Sequence, residues 1–223
     1  MQSDRQLDWR PDLVVLDCDG VLVDTERLTV AVEARVLTEL GWPHTTADVV
    51  ERWMGRSSAS QLAEVESRLG AEAAVRFDEL LTAELHESFR RDLTAVDGVE
   101  QLLDALEAAG VATCVASSGT HERIRLTLGL TGLLPRFEGR ISSATDVREG
   151  KPAPDLFLQA AAGLGVPPAR CIVVEDSVPG VQAAVAAGMT VFGYAGGLGS
   201  AAAMAAAGAL LFEHMTDLVD RLT

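Results

Sequence analysis

Short apolar runs that each end in a polar residue constrain this chain more than any other feature. Leu13-Val14-Val15-Leu16 ends in Asp17, Val111 to Ala116 ends in Ser117, and Cys171-Ile172-Val173-Val174 ends in Glu175. Thr190-Val191-Phe192 is a fourth run, and Leu210-Leu211-Phe212 is a candidate fifth. Continuous apolar runs of this length read as strands buried on both faces. Helical patterns separate them, over Gly98–Ala109, His121–Leu130, Asp155–Leu164 and Val178–Ala187, with Gly110, Gly165 and Gly188 closing three of the four. Strand alternating with helix predicts an α/β fold, a doubly wound parallel sheet with helices on both faces.

One segment breaks the alternation. From Glu26 to Asp92 no strand pattern occurs, and amphipathic helices are expected at about Glu26–Leu40, Ala47–Trp53, Ser58–Leu69 and Ala71–Arg91, punctuated by Trp42-Pro43 and Gly55. The expected organisation is an α/β core of residues 10–25 and 94–223, with a small inserted α-helical cap of residues 26–93. The Ala-rich stretch from Ser200 to Leu211 reads as a plain helix.

Charge excludes whole classes of partner. Eighteen basic residues face 33 acidic ones, a formal net charge of -15, so the basic footprint that nucleic acid or an anionic membrane requires is missing. An anionic substrate would then need a local site or a bound cation to attract it. The three cysteines lie far apart without a C-x-x-C pair, the four histidines lack metal-ligand spacing, and no apolar stretch is long enough to span a membrane. Residues 1–10 are polar and lack a signal core, so a cytoplasmic protein with reduced thiols is expected. The oligomeric state is left open, a monomer included.

The polar strand ends matter together, because ligands of open parallel sheets bind at the carboxyl ends of the strands. Asp17-Cys18-Asp19-Gly20 sets two carboxylates two residues apart in a tight turn that Gly20 permits. A cation-bound Asp stays ionised and can attack phosphorus, and a second Asp can protonate a leaving oxygen and later activate water. A plain Asx turn explains the same tetrapeptide. Glu175-Asp176-Ser177 adds two adjacent carboxylates; with Asp17 they form an oxygen-rich site suited to Mg²⁺, a reading compatible with a helix N-cap at the same place. Ser117-Ser118-Gly119 opens a helix, where hydroxyls and free N–H groups form either an anion pocket or a simple cap. Lys151, within Gly150-Lys151-Pro152-Ala153-Pro154-Asp155, is the only lysine in the chain. Prolines stiffen its backbone, and one pre-positioned ammonium would neutralise a phosphate and the carboxylate pair together.

These elements, in this order, resemble the haloacid dehalogenase superfamily over nearly the whole chain. Asp17 to Asp24 (DCDGVLVD) matches its nucleophile loop, Ser117 its Ser/Thr element, Lys151 its lysine element and Glu175-Asp176 its acidic element, while Glu175 to Gly188 (EDSVPGVQAAVAAG) is close to the family's wording. A helical insertion directly after the first loop is similar to members with an α-helical cap, in the β-phosphoglucomutase-like and sugar-phosphate phosphatase branch. The resemblance implies Asp17 as nucleophile, through an aspartyl-phosphate, and Asp19 as general acid and then base. It implies Mg²⁺ bound by Asp17, the Asp19 backbone carbonyl, Glu175 and Asp176. Ser117, the Ser118 N–H and Lys151 would hold the phosphoryl group. The implied activity is Mg²⁺-dependent hydrolysis of a small phosphorylated metabolite, a sugar or polyol phosphate.

Departures from the family pattern narrow this further. Dehalogenating members lack the second Asp, and phosphonate-cleaving members use a cap lysine, of which residues 26–92 have none. A hexose-phosphate mutase of the β-phosphoglucomutase type is the alternative enzyme. Its hinge-helix His has no counterpart in Glu26-Arg27-Leu28-Thr29, and Met54 stands where such mutases carry Lys. A catalytically idle binding or regulatory protein is the alternative of another class, disfavoured by the intact motif. In the cap, Gly55 and Arg56 are the candidate substrate contacts, Arg56 for a second anion or a sugar hydroxyl, with a surface Arg beside a helix cap as the even alternative. Trp53 and Met54 read as core packing in preference to the wall of a pocket. For Arg123, near the start of the helix after Ser117, a solvated helix face is preferred over a substrate contact.

Overall fold

A computed structural model describes residues 9–53 and 58–223. Among them six strands form: β1 (Leu13–Leu16), β2 (Ala112–Ser117), β3 (Ile141–Ser143), β4 (Cys171–Glu175), β5 (Thr190–Tyr194) and β6 (Leu210–Phe212). The α-helices are α1 (Thr25–Glu39), α2 (Thr46–Trp53), α3 (Ser58–Leu69), α4 (Ala71–Asp92), α5 (Val99–Ala108), α6 (His121–Leu130), α7 (Asp155–Gly163), α8 (Val178–Ala186), α9 (Ala201–Ala207) and α10 (Val219–Leu222). The chain divides into two compact units, one of Met1–Asp24 with Thr94–Thr223 and one of Thr25–Leu93.

The first unit is an α/β sandwich around one wholly parallel sheet of order β3-β2-β1-β4-β5-β6. Strand order runs outward from β1 in both directions, the arrangement that opens a ligand crevice at the carboxyl ends. Leu13 to Leu16 lie in register with Ala112 to Val115 on one side and with Cys171 to Val174 on the other. The runs that carry Asp17, Ser117 and Glu175 are therefore the three neighbouring central strands, and they end at the same level.

Burial on both faces explains why these strands show no polar alternation. Leu13 and Val15 join a cluster with Leu156 and Phe157 of α7 and Val181 and Ala184 of α8. Val14 and Leu16 point to the other face and are equally buried. β6 is the candidate fifth run, paired through Phe192↔Leu210. β3 is a strand that the apolar pattern does not announce. Ile141-Ser142-Ser143 pairs only with β2, at the sheet edge, where Ile141 and Ser142 are half-buried and no apolar run is required. Cys18, Cys114 and Cys171 are buried and unbridged, and burial pushes the Cys114 thiol up to about 12 and Cys171 to about 11. No helix among the described residues is long and apolar enough to cross a membrane.

The second unit is helical, α1 to α4 around Val30, Val36, Leu37, Val49, Trp53, Val65 and Phe77. Trp53 is core packing. Its ring stands edge-on to Phe77 at 5.7 Å, and its Nε1–H donates to Glu64 Oε2 at 3.1 Å. Glu33 of α1 is the misfit in this unit. It is 4% exposed, and no hydrogen bond or ion pair reaches it from the described residues. Burial alone pushes its carboxyl up to about 7. The folded state then binds the proton more tightly than the unfolded chain, so stability is lost as pH rises from about 4.5 to 7. Glu33→Gln should remove that loss. Its stabilisation relative to wild type should grow by on the order of 3 kcal/mol between pH 5 and pH 8, read by urea unfolding with tryptophan fluorescence. Parallel pH profiles for the two proteins would contradict this.

Candidate active site

The site is built at the carboxyl ends of β1, β2 and β4. The Asp17 N–H donates to the Val174 carbonyl at 3.0 Å, so the end of β1 is tied to β4 just where both leave the sheet. The chain then turns at once. Leu22 and Val23 N–H groups donate to the Cys18 carbonyl at 2.9 and 3.1 Å, and Gly20 N–H donates to Val23 at 2.8 Å. Gly20 sits at φ +82°, and a Cβ there would run into the Asp176 carboxylate. Only glycine allows both the turn and that close approach.

Lys151 reaches the centre from the loop before α7. Its ammonium donates to Asp17 Oδ1 at 2.5 Å, to Glu175 Oε1 at 2.6 Å and to the Ala116 carbonyl at 3.1 Å. All three donors are used, one on each of the three central strands. The side chain is 5% exposed, and its nitrogen lies 5.0 Å from the centre of the Phe157 ring. Burial by itself would push the ammonium towards neutrality, but Asp17 and Glu175 outweigh it, and the net shift is upward. Lys151 is held charged. Burial pushes the Asp17 carboxyl up; Lys151 opposes the rise, and the Glu175 charge adds to it.

Glu175 is saturated by its own loop as well. Its Oε2 accepts the N–H of Asp176 at 3.0 Å, the N–H of Ser177 at 2.9 Å and the Ser177 hydroxyl at 2.8 Å. Ser177 is the N-cap of α8, its Oγ accepting the Gly180 N–H at 3.1 Å. A Cβ at Gly180 would collide with the Glu175 carboxylate. Asp176 is buried and faces the loop after β1 across Gly20. Two buried carboxylates, Asp17 and Glu175, thus share one ammonium, and a third, Asp176, is buried on the far side of Gly20. That excess negative charge, in an all-oxygen setting, fits a hard divalent cation. Among the described residues no three His, Cys, Asp or Glu side chains converge as a ready-made cage. Mg²⁺ typically uses only one or two carboxylates and completes its shell with water and phosphate. Of the four expected ligands, Asp17, Asp176 and the Asp19 carbonyl would be the groups to hold it, whereas both oxygens of Glu175 are already engaged by Lys151 and its own loop.

Ser117, at the end of β2, is buried and accepts the Gly119 N–H at 3.1 Å, so its own hydroxyl proton remains to donate. Ser118 is exposed, and its N–H is not taken up by any group among the described residues. The cap of α6 is Thr120. Two contributions go beyond the sequence reading. Ser143 of β3 donates to the Gly119 carbonyl at 2.7 Å and so braces this loop. Arg123 is not simply a solvated helix residue, since its Nη2 donates to Asp19 Oδ1 at 3.2 Å. Gly55 and Arg56 lie outside the described residues. A groove of about 490 Å³ lies at the other end of β2, lined by Ala112, Thr113, Arg136 and Arg140 among others. Arg136 there is paired with Asp104 and Glu107, and Arg140 donates to carbonyl groups, so no reactive set converges on it.

The caged ammonium yields a stability prediction. Lys151→Met would leave Asp17 and Glu175 buried without their counter-charge, a loss of about 3–5 kcal/mol in urea unfolding. Adding Glu175→Gln should restore part of it. A loss under about 1 kcal/mol would show that the charges are not buried as described.

Known proteins are similar to this chain in sequence and in fold. A family model described as a haloacid dehalogenase-like hydrolase matches residues 11–188. The chain is 31% identical over 184 residues to 6-phosphogluconate phosphatase of Escherichia coli K12, covering 82% of each chain. A solved haloacid dehalogenase-like protein from Agrobacterium tumefaciens superposes with a TM-score of 0.81 at 38% identity, covering 93% of this chain and 95% of that one. A family hydrolase from Deinococcus radiodurans R1, solved with bound phosphate and sodium, superposes with a TM-score of 0.82 at 32% identity, covering 95% and 94%. With its model matched over most of the length, and relatives above 30% identity spanning four-fifths of the chain or more, the protein belongs to the haloacid dehalogenase-like hydrolases.

Proposed function

We propose that the protein is a Mg²⁺-dependent phosphatase that hydrolyses a small phosphorylated metabolite, of the sugar or polyol phosphate class, through an aspartyl-phosphate on Asp17. The observation that carries this reading is the ammonium of Lys151 fixed on Asp17 at 2.5 Å, with Asp19 two residues along the same turn. Family membership and the E. coli relative, named for 6-phosphogluconate, point to the same ester class.

The chain's own groups supply the steps. Asp17 attacks phosphorus, and the bond from phosphorus to the ester oxygen breaks. Asp19 gives its proton to the departing alkoxide, so that an alcohol leaves. Asp19, now a carboxylate, takes a proton from water as that water attacks the aspartyl-phosphate, and inorganic phosphate and free Asp17 result. Ser117, the Ser118 N–H and Lys151 neutralise and orient the phosphoryl oxygens, which is most of what such a transfer demands. Bound beside Asp17, Mg²⁺ would offset the excess buried charge, keep the nucleophile ionised and draw charge from the phosphoryl group. Asp19 is what separates this chemistry from carbon–halogen hydrolysis, since a side chain without an ionisable proton there could not protonate the leaving alkoxide.

Phosphate release across sugar phosphates, polyol phosphates, 6-phosphogluconate and nucleotides, each with Mg²⁺ and with chelator, tests the reading. Release should require Mg²⁺ and favour a sugar-type ester, and Asp17→Asn should lower it by at least about 10³-fold. No release from any ester, or unchanged release by Asp17→Asn, would contradict the reading. Conversion of β-glucose 1-phosphate faster than its hydrolysis would make the protein a mutase instead.

A further inference from the structure

Asp19 must deliver a proton to one oxygen and collect one from another, yet it sits in a turn beside a glycine at φ +82°. We propose that Arg123 is a positioning residue for Asp19, holding its carboxylate in the orientation from which it serves the transferring phosphoryl group. The inference rests on the phosphatase reading and deepens it.

Four features of α6 point this way. The Arg123 guanidinium donates to Asp19 Oδ1 at 3.2 Å across 104 residues of sequence. Its backbone is fixed where the phosphate loop ends, because its N–H donates to the Thr120 cap at 3.3 Å. Its aliphatic stem lies over the same loop, with Cδ 3.5 Å from where a Cβ on Gly119 would be. One turn further, the Thr127 hydroxyl bonds the Arg123 carbonyl at 3.1 Å and lies 3.7 Å from Cys18 Sγ. One helix thus presents side chains to two consecutive residues of the nucleophile loop, Cys18 and Asp19. The same helix opens from the loop that carries Ser117 and Ser118. Proton donor and phosphate pocket are located by a single rigid element.

Magnitudes favour orientation over stability. The two side chains are 38% and 29% exposed, and such ion pairs contribute little to folding. An Asp side chain has three staggered wells about χ1, and an error of about 1 Å in a reacting group costs on the order of 10²-fold in rate. Choosing one well for Asp19 is therefore worth far more to turnover than to the folded state.

Leaving-group dependence tests this, because an alkoxide needs the Asp19 proton and 4-nitrophenolate does not. Arg123→Gln should lower kcat/KM about tenfold on the best sugar-type phosphate and less than about twofold on 4-nitrophenyl phosphate. Arg123→Lys should restore a large part of the lost rate. In an Asp19→Asn background, followed by single turnover, Arg123→Gln should have no further effect. The melting temperature should stay within about 2 °C of wild type. Equal losses on both esters, additive losses with Asp19→Asn, or a rise in KM alone for an anionic sugar would overturn the inference; the last would make Arg123 a direct substrate contact. A wild-type protein that releases phosphate from neither ester would overturn the phosphatase reading, and this inference with it.

Discussion

One buried ammonium, hydrogen-bonded to three neighbouring strand ends, is the interaction on which the rest of this structure depends. Lys151 can satisfy Asp17, Glu175 and the Ala116 carbonyl together only if β1, β2 and β4 end at one level, and their register provides that. A lysine suits the position because its three donors radiate from a single point, whereas the planar fork of arginine matches paired oxygens on one side. The three charged side chains are almost wholly buried. Their interaction is correspondingly stronger than at the surface, and the site is preorganised before substrate arrives.

Two glycines carry that electrostatic arrangement into the local sequence. Gly20 lets the nucleophile loop fold back against Asp176, and Gly180 lets the first turn of α8 close over Glu175. Glu175 in turn organises its own loop through two N–H groups and the Ser177 hydroxyl, which frees Asp176 to face the loop of Asp17. The wording Glu175-Asp176-Ser177-Val178-Pro179-Gly180 is thus a set of packing conditions as much as a set of ligands. The acidic pair has a division of labour, Glu175 securing the lysine and Asp176 facing the nucleophile loop.

Much of the fold was legible because the decisive strands are central. Buried on both faces, β1, β2 and β4 show as apolar runs, interrupted only by Thr113, that end at a polar residue. β3 did not show, because an edge strand of three residues needs no such run. Lys151 was conspicuous by its rarity, but nothing in the residue types says that its ammonium would touch the Ala116 carbonyl. Arg123 was hidden differently. In His121-Glu122-Arg123-Ile124-Arg125 two arginines alternate, and only the docking of α6 decides that Arg123 meets Asp19. Glu33 is a carboxylate set between Val32 and Ala34 in α1, and its burial is a tertiary fact that residue type does not carry. The mutual arrangement of the carboxylates, rather than their presence, was the unreadable part.

The central claim is that the carboxylate held by Lys151 is the nucleophile. Borohydride reduction of the acid-quenched enzyme tests it most directly, because an acyl phosphate is reduced to an alcohol and a free carboxylate is not. With substrate and Mg²⁺ present, peptide mass spectrometry should find homoserine at position 17, and neither ingredient alone should produce it. Turnover without modification at Asp17, or with the label on another residue, would contradict the account.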